Sequence, residues 1–432
     1  MKNNIKTTWR KVKLGNVLQL LIDHRGKTPK KLGGNWSSSG IPAISAKNIK
    51  NGQIVNEKDI RYVSQKLYDK WMPEKLHSGD ILLTSEAPLG ELLYLKEKTD
   101  YCLSQRLFAL RTQSEKLSSK FLYYYLLSPI GRHQLLRRIS GTAAEGIRQT
   151  ELVQLDVTFP ENIEEQKRTA DILSAFDDKI ELNNKISRTL EEMAQAIFKE
   201  WFVNFRFPGH EKVKMVDSEL GKIPEGWEVK SWGDLESVSL AGDWGYDNAS
   251  EESSQKVYIL RGTDIPSLQA GDRGDCPTRY LSIESLERRK LKAGDIVIEI
   301  SGGSKGQPTG RSLFITQEIL NRFELPLVHT SFCRLVRGNN ILASVLMYLH
   351  IDRLYRTKKI WNYQLQSTGI SNFQYGQFRE YERLVVPPRD IQDKISDTLY
   401  SYIEYGHRNE NQKLAALRDL LLPKLMSGEI RV

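Results

Sequence analysis

The sequence predicts an α+β protein: two tandem domains of mixed β-sheet and helices, separated by long helices that form an antiparallel coiled coil, with a pseudo-twofold internal repeat. Three observations carry that expectation. The 432 residues repeat themselves in order, each half holds short apolar strand-like runs beside helical stripes, and each half closes on a stretch with heptad character.

The repeat is read from matched landmarks. Trp9 and Gly15 return as Trp227 and Gly233, and Leu76 to Ile81 returns as Leu291 to Ile296. Gly146-Ile147 matches Gly369-Ile370, and Gln166 with Ile172-Leu173 behind it matches Gln392 with Thr398-Leu399. Four matches in one order, all offset by about 220 residues, are hard to obtain by accident.

Within each copy the elements follow from local chemistry. Asp80 to Thr84 and Asp295 to Glu299 read as buried strands after a Gly-Asp turn, as do Phe108 to Leu110 and Phe332 to Val336. A helix opens at Ser118-Ser119, whose hydroxyls suit an N-cap, and its counterpart carries Leu342, Leu346 and Leu349. From Glu164 to Trp201 there is neither Pro nor Gly. Ile172, Phe176, Lys179, Asn183, Ile186, Leu190, Met193 and Ile197 fall at alternating intervals of four and three, a heptad seam. A helix of that length spans on the order of 55–60 Å and needs a partner along it. The second copy offers Ile395, Leu399, Tyr402, Leu414, Leu417 and Leu421, interrupted by Gly406 and ended or kinked by Pro423. Asn183 and Asn409 are placed to fix its register. The expected layout is a first domain over 1–160, a spacer helix over 161–203, a linker over 204–226, a second domain over 227–388 and a second spacer helix over 389–432.

Charge separates the parts. The chain carries Lys+Arg 63 against Asp+Glu 54, a net +9, which suits a polyanionic partner. Residues 161–200 hold ten acidic and six basic side chains, so the long helix is net acidic and the excess positive charge lies in the domains. Cys102, Cys276 and Cys333 stand far apart, no apolar stretch approaches membrane-spanning length, and the start lacks the core of a signal peptide. A cytoplasmic protein away from membranes is expected.

No reactive centre is legible. Pro387-Pro388 follows Val385-Val386 rather than the Asn or Asp of a methyltransferase tetrapeptide, and Gly306 to Ser312 is one residue short of a nucleotide-binding loop, with Arg in place of Lys. The seven histidines show no metal-ligand spacing. Arg, Lys, Asn and Gln are the side chains that read base edges, and they recur in loops at matched places. In the first copy these are Lys47-Asn48, Thr84-Ser85, Gln105-Arg106 and Arg148-Gln149. In the second they are Arg261, Thr263-Asp264, Ser301, Lys305, Thr330 and Ser371-Asn372. Taken singly, each is equally suited to a turn or a cap. As sets they suggest one scaffold carrying two different readers of double-stranded DNA.

The chain resembles the specificity subunits of type I restriction–modification systems, above all in Glu164 to Phe202, in Asp217 to Val229 (D-S-E-L-G-K-I-P-E-G-W-E-V) and in Leu414 to Ile430 (L-A-A-L-R-D-L-L-L-P-K-L-M-S-G-E-I). It departs at Arg389 to Asp393, which lacks the Glu of the pair Glu165-Gln166. The resemblance implies a non-catalytic subunit whose two target-recognition domains each read half of a bipartite, asymmetric DNA site. The helices would set the spacer and dock two methyltransferase subunits. S-adenosylmethionine, ATP and Mg would belong to those methyltransferase subunits and to restriction and translocase subunits, with no cofactor on this chain. The competing expectation is a non-catalytic scaffold with duplicated protein- or RNA-binding domains.

Overall fold

Gly79 and Gly294 hold backbone φ angles of 90° and 92°, a left-handed conformation that favours glycine, and each turns the chain into a strand that opens on a buried aspartate. Burying a carboxylate is costly unless it is paired and hydrogen-bonded. Both copies solve this in the same way. Asp80 accepts the His77 N–H at 2.8 Å and takes a two-pronged guanidinium from Arg111 at 2.8 Å per contact. Asp295 accepts the Lys292 N–H at 2.7 Å and is held by Arg337 at 2.6 and 2.9 Å.

The computed structural model describes residues 8–139, 146–303, 306–367, 370–407 and 410–432. The first copy contributes β1 (Leu18–Asp23), β2 (Ile41–Ile44), β3 (Arg61–Val63), β4 (Ile81–Thr84), β5 (Leu92–Tyr94), β6 (Cys102–Leu103) and β7 (Leu107–Thr112). The second contributes β8 (Glu236–Ala241), β9 (Gln255–Leu260), β10 (Thr278–Leu281), β11 (Asp295–Glu299), β12 (Ser312–Phe314), β13 (Leu327–His329) and β14 (Cys333–Gly338). One sheet runs β1-β7-β4-β5 in the first copy and β8-β14-β11-β12 in the second. The other runs β3-β2-β6 and then β10-β9-β13, with β2–β6 and β9–β13 as the parallel pairs. The duplication expected from sequence is thus present strand for strand in these two sheets, while the second copy adds a three-stranded sheet of Ser301–Gly303, Ile370–Phe373 and Gln364–Ser367. Each copy is closed by a clasp, Trp9–Lys13 against Asp156–Pro160 and Glu228–Ser231 against Arg383–Val386.

The helices that position these sheets are α1 (Ser119–Leu127), α2 (Ile163–Phe202), α3 (Ile341–Arg356), α4 (Arg389–Gly406) and α5 (Glu410–Ser427). Ser118 caps α1 and Asn340 caps α3 through side-chain oxygens that accept backbone N–H groups. Ile81 and Leu83 of β4 pack with Phe121 and Leu122 of α1, while Leu82 packs with Ile44 and Val63 of the second sheet. Ile296, Ile298 and Val297 of β11 repeat this division, the first two against Leu346 and Leu349 of α3 and the third against Leu260 and Leu327. A strand buried on both faces needs an unbroken apolar run, which is what the sequence holds there.

Two compact units emerge, residues 1–178 with 415–432 and residues 179–414, so α2 and α5 each contribute to both. In the first unit Ala170 and Leu173 of α2 share a core with Leu422, Leu425 and Met426 of α5. In the second unit Ala194 and Phe198 of α2 share a core with Ile395, Leu399 and Ile403 of α4. The row most buried on α2 lies one residue round the helix from the expected seam. Ile172, Phe176, Leu190 and Ile197 are half-buried, whereas Ile186 and Met193 are 45% and 41% exposed. The reason is that the buried row contains polar groups with partners, which an apolar count passes over. Asp177 receives Tyr124 Oη at 2.6 Å and Arg418 at 2.5 Å, Asn184 receives Asn411 at 2.8 Å, and Glu191 pairs with Arg356 at 2.6 Å. Asn183 donates to Glu410 at 3.0 Å and to Asn411 at 2.9 Å. On the second strand of the seam, Leu399 is fully buried, Tyr402 and Leu414 are half-buried, and Leu417 is 49% exposed; Asn409 lies outside the described residues. Gly406 closes α4, and α5 continues through Pro423 to Ser427. Among the described residues, no helix is long and apolar enough to cross a membrane.

Substituting Arg337→Ala strands Asp295 as a buried, unpaired carboxylate. It is expected to cost about 3–5 kcal/mol in urea unfolding, and Arg111→Ala is expected to act similarly on the first copy.

Candidate nucleic-acid interface

The end of each central sheet away from the Gly-Asp turn gathers several loops. In the first unit the Ser85 N–H donates to Arg106 O at 2.9 Å, and the Ile147 N–H donates to Ser85 O at 3.0 Å. Arg25 reaches Ile147 O at 3.1 Å while gripping Asp23 with two contacts of 2.9 Å and lying 4.1 Å over the Phe108 ring. Asp23, His24, Arg25, Gly26, Lys27 and Glu86 line a cleft at this place, and Arg106 approaches Glu86 at 3.3 Å. Four segments, around 25, 85, 106 and 147, are therefore tied into one surface.

The second unit uses the same frame. Ile300 N–H donates to Phe332 O at 2.9 Å, and Phe373 N–H donates to Ile300 O at 2.9 Å. Ser85 thus corresponds to Ile300, Arg106 to Phe332 and Ile147 to Phe373. The match of Ile147 with Ile370 suggested by sequence is displaced by three residues, because Gly-Ile is too short a signal to register the two segments. Gly369 itself lies outside the described residues. The loop after β11 is also longer than that after β4. Thr84 closes the short one by accepting the Gly90 N–H at 3.1 Å and the Glu91 N–H on its hydroxyl at 2.9 Å. Glu299 closes the long one by accepting the Gly310 N–H at 2.9 Å and pairing with Arg311 at 2.7 and 2.9 Å. Gln364 clamps its far side, accepting from Thr309 N–H at 3.0 Å, from Thr309 Oγ1 at 2.7 Å and from Ser371 Oγ at 2.8 Å.

The sequence-predicted residues divide into two groups. Lys47, Gln105, Arg106, Arg148, Gln149 and Thr263 face solvent, and Arg261, Ser301 and Asn372 are half-exposed, with Ser301 Oγ donating to Asn372 Oδ1 at 2.6 Å. Asn48, Thr84, Ser85, Asp264, Thr330 and Ser371 are buried. Asn48 Oδ1 accepts the Ser45 N–H at 3.1 Å and Ser45 Oγ at 2.9 Å, while its amide donates to Val55 O at 3.3 Å. Asp264 repeats this cap by accepting the Arg261 N–H at 3.0 Å and the Arg261 fork at 2.9 Å per contact. Burial alone would raise the Asp264 carboxyl, yet the Arg261 contacts hold it below the usual carboxylate range and hold the guanidinium above its own. The hydroxyls of Ser85 and Thr330 are buried without a partner among the described residues. Lys305 lies outside those residues.

Several surface groups escaped the sequence reading. Arg25 and Lys27 follow β1 in the run Asp23-His24-Arg25-Gly26-Lys27, and a basic cluster at a strand end was the available signal. In the second unit the equivalent loop presents Trp244, 38% exposed, with the Arg279 guanidinium 4.5 Å from its ring, and Phe332 stands 59% exposed. Among the described residues no group of three His, Cys, Asp or Glu side chains is arranged to hold a metal ion.

Residues 6–192 match the family model of the type I restriction modification DNA specificity domain. The chain is similar to the type I restriction enzyme MjaIX specificity subunit of Methanocaldococcus jannaschii, with 25% identity covering 94% of this chain and 90% of that one. It is also similar to the HindI specificity subunit of Haemophilus influenzae, with 23% identity covering 88% and 94%. Its fold is shared with the S subunit of a type I restriction–modification system from M. genitalium, at a TM-score of 0.56 and 18% identity over 98% of each chain.

Frame and surface residues should separate in stability measurements. Asn48→Ala removes a buried cap and is expected to cost about 1–2 kcal/mol in denaturant unfolding. Arg106→Ala removes one exposed ion pair and is expected to shift the same transition by less than about 0.5 kcal/mol.

Proposed function

Because this chain belongs to the specificity subunits of type I restriction–modification systems, we propose that each of its two domains reads one half of a bipartite, asymmetric DNA sequence. The chain is a recognition subunit, not an enzyme. The observation that carries the division of labour is the shared loop frame with unlike side chains on it. Gln105-Arg106 faces out where the second unit has Ser331-Phe332, and Arg148 stands where that unit has Gln374. An arginine fork matches guanine N7 and O6, and a Gln or Asn amide matches adenine N7 and N6. Arg106 and Arg148 are therefore assigned to base edges in the first half-site, and Asn372 with Ser301 to the second. Lys27 and Lys47 are assigned to phosphate, where cation contacts set register and give affinity a steep salt dependence.

The helices set the distance between half-sites and dock two methyltransferase subunits. Leu182, Ile186 and Met193 support that role, since they leave an apolar stripe on α2 at 50%, 45% and 41% exposure. Those subunits supply S-adenosylmethionine. Restriction and translocase subunits with ATP and Mg complete the assembly, which works in the cytoplasm where its DNA is.

Methylome sequencing of cells carrying the chain with its methyltransferase partner returns the motif. Arg106→Ala or Arg148→Ala is expected to relax one position of one half-site, by about 1–3 kcal/mol per lost base contact, and to leave the other half intact. Loss of both halves, or no change in either, contradicts the assignment.

A further inference from the structure

We propose that Phe332 is a specificity-determining residue of the second domain, its ring contacting the C5-methyl of a thymine in that half-site. This rests on the two-domain reading above and adds the chemistry by which the second domain discriminates.

The position comes first. Phe332 occupies the turn between β13 and β14, as Arg106 occupies the turn between β6 and β7, and each residue's carbonyl is tied into the neighbouring loop. Arg106 O accepts from Ser85 N–H at 2.9 Å; Phe332 O accepts from Ile300 N–H at 2.9 Å and from Ser301 N–H at 3.3 Å. The turn is thus anchored on the same frame as the reading surface. Its flanks are buried: Thr330 is 1% and Cys333 is 0% exposed, while Phe332 is 59% exposed. Holding a phenyl ring in water gains the fold nothing, whereas covering it is favourable by on the order of 1.5–3 kcal/mol.

The surroundings decide what covers it. Among the described residues, Ser331, Ser301 and Asn372 are polar side chains of the turn and of the loops tied to it, so the exposed ring stands beside groups that can hydrogen-bond base edges. A phenyl ring neither donates nor accepts a hydrogen bond. In the major groove the one apolar feature that distinguishes base pairs is the thymine methyl. Ser301 and Asn372, bonded to each other at 2.6 Å, sit beside it as the polar readers of adjoining edges.

The test uses the specificity subunit in complex with its methyltransferase subunits and duplexes bearing the motif that the methylome returns. Thymines of the second half-site are replaced one at a time by uracil, which removes only the methyl. The wild-type complex is expected to lose three- to tenfold in affinity at one position, about the value of one buried carbon. Phe332→Ala should bind thymine and uracil alike there, Phe332→Leu should retain the preference, and binding to the first half-site should be unchanged in both. The proposal is overturned if Phe332→Ala keeps the thymine preference. It is likewise overturned if that variant weakens every duplex equally, as a wedge between base steps would, or if the second half-site contains no thymine. A wild-type complex that binds the thymine and uracil duplexes alike also overturns it, whereas a methylome motif with only one specified half would overturn the two-domain reading, a separate failure.

Discussion

The buried Asp–Arg pair at the head of each central strand is the constraint on which the proposed reading surface depends. Asp295 lies directly opposite Arg337 in the β11–β14 ladder, and from there the register runs without a break to Glu299 opposite Cys333. In the first copy Ile81 to Thr84 run opposite Leu110 to Leu107 in the same way. A slip of one residue would strand a buried carboxylate and turn every side chain on the strand to the other face. The pair therefore decides, from the far end of the strand, where the turns at Arg106 and Phe332 fall. The pair stands at one end of the sheet, and the exposed side chains at the other end are free to differ.

What differs there is chemical. The first unit presents guanidinium and amide groups around Arg25, Gln105, Arg106 and Arg148, while the second presents aromatic groups at Trp244 and Phe332 beside Ser301 and Asn372. The longer loop of the second unit needs extra bracing, which the Glu299–Arg311 pair and the Gln364 clamp provide. Gly262 belongs to this bracing, because a Cβ there would come within 2.5 Å of the Glu299 carboxylate. The two proposed readers thus share the hydrogen bonds that tie their loops together and differ in what they offer a ligand.

Much of this was legible in the residues. The duplication, the Gly-Asp strands, the capping residues of α1 and the long helix all leave patterns in apolar spacing and in glycine placement. The polar half of the architecture does not. The seam on α2 is set by Asp177, Asn184 and Glu191, whose burial depends on partners far away in sequence, so a count of apolar positions lands on the adjacent row. Asn48 and Asp264 looked like base readers because a capping amide or carboxylate and a recognition amide are the same chemical groups; only their hydrogen-bond partners tell them apart. Phe332 was invisible for the opposite reason, since it opens the run Phe332 to Val336 that reads as a buried strand, whereas the strand begins at Cys333.

The central claim is that each domain carries its own reader on a common frame, and a transplant tests it most directly. Replacing the second turn by the first, with S331Q and F332R together, leaves both Asp–Arg pairs and all buried residues in place. Sequencing the methylome of cells carrying that variant with the methyltransferase subunits proposed as its partners should return a second half-site altered at one or two positions beside an unaltered first half-site. An unchanged motif, or one altered in both halves, would contradict the account.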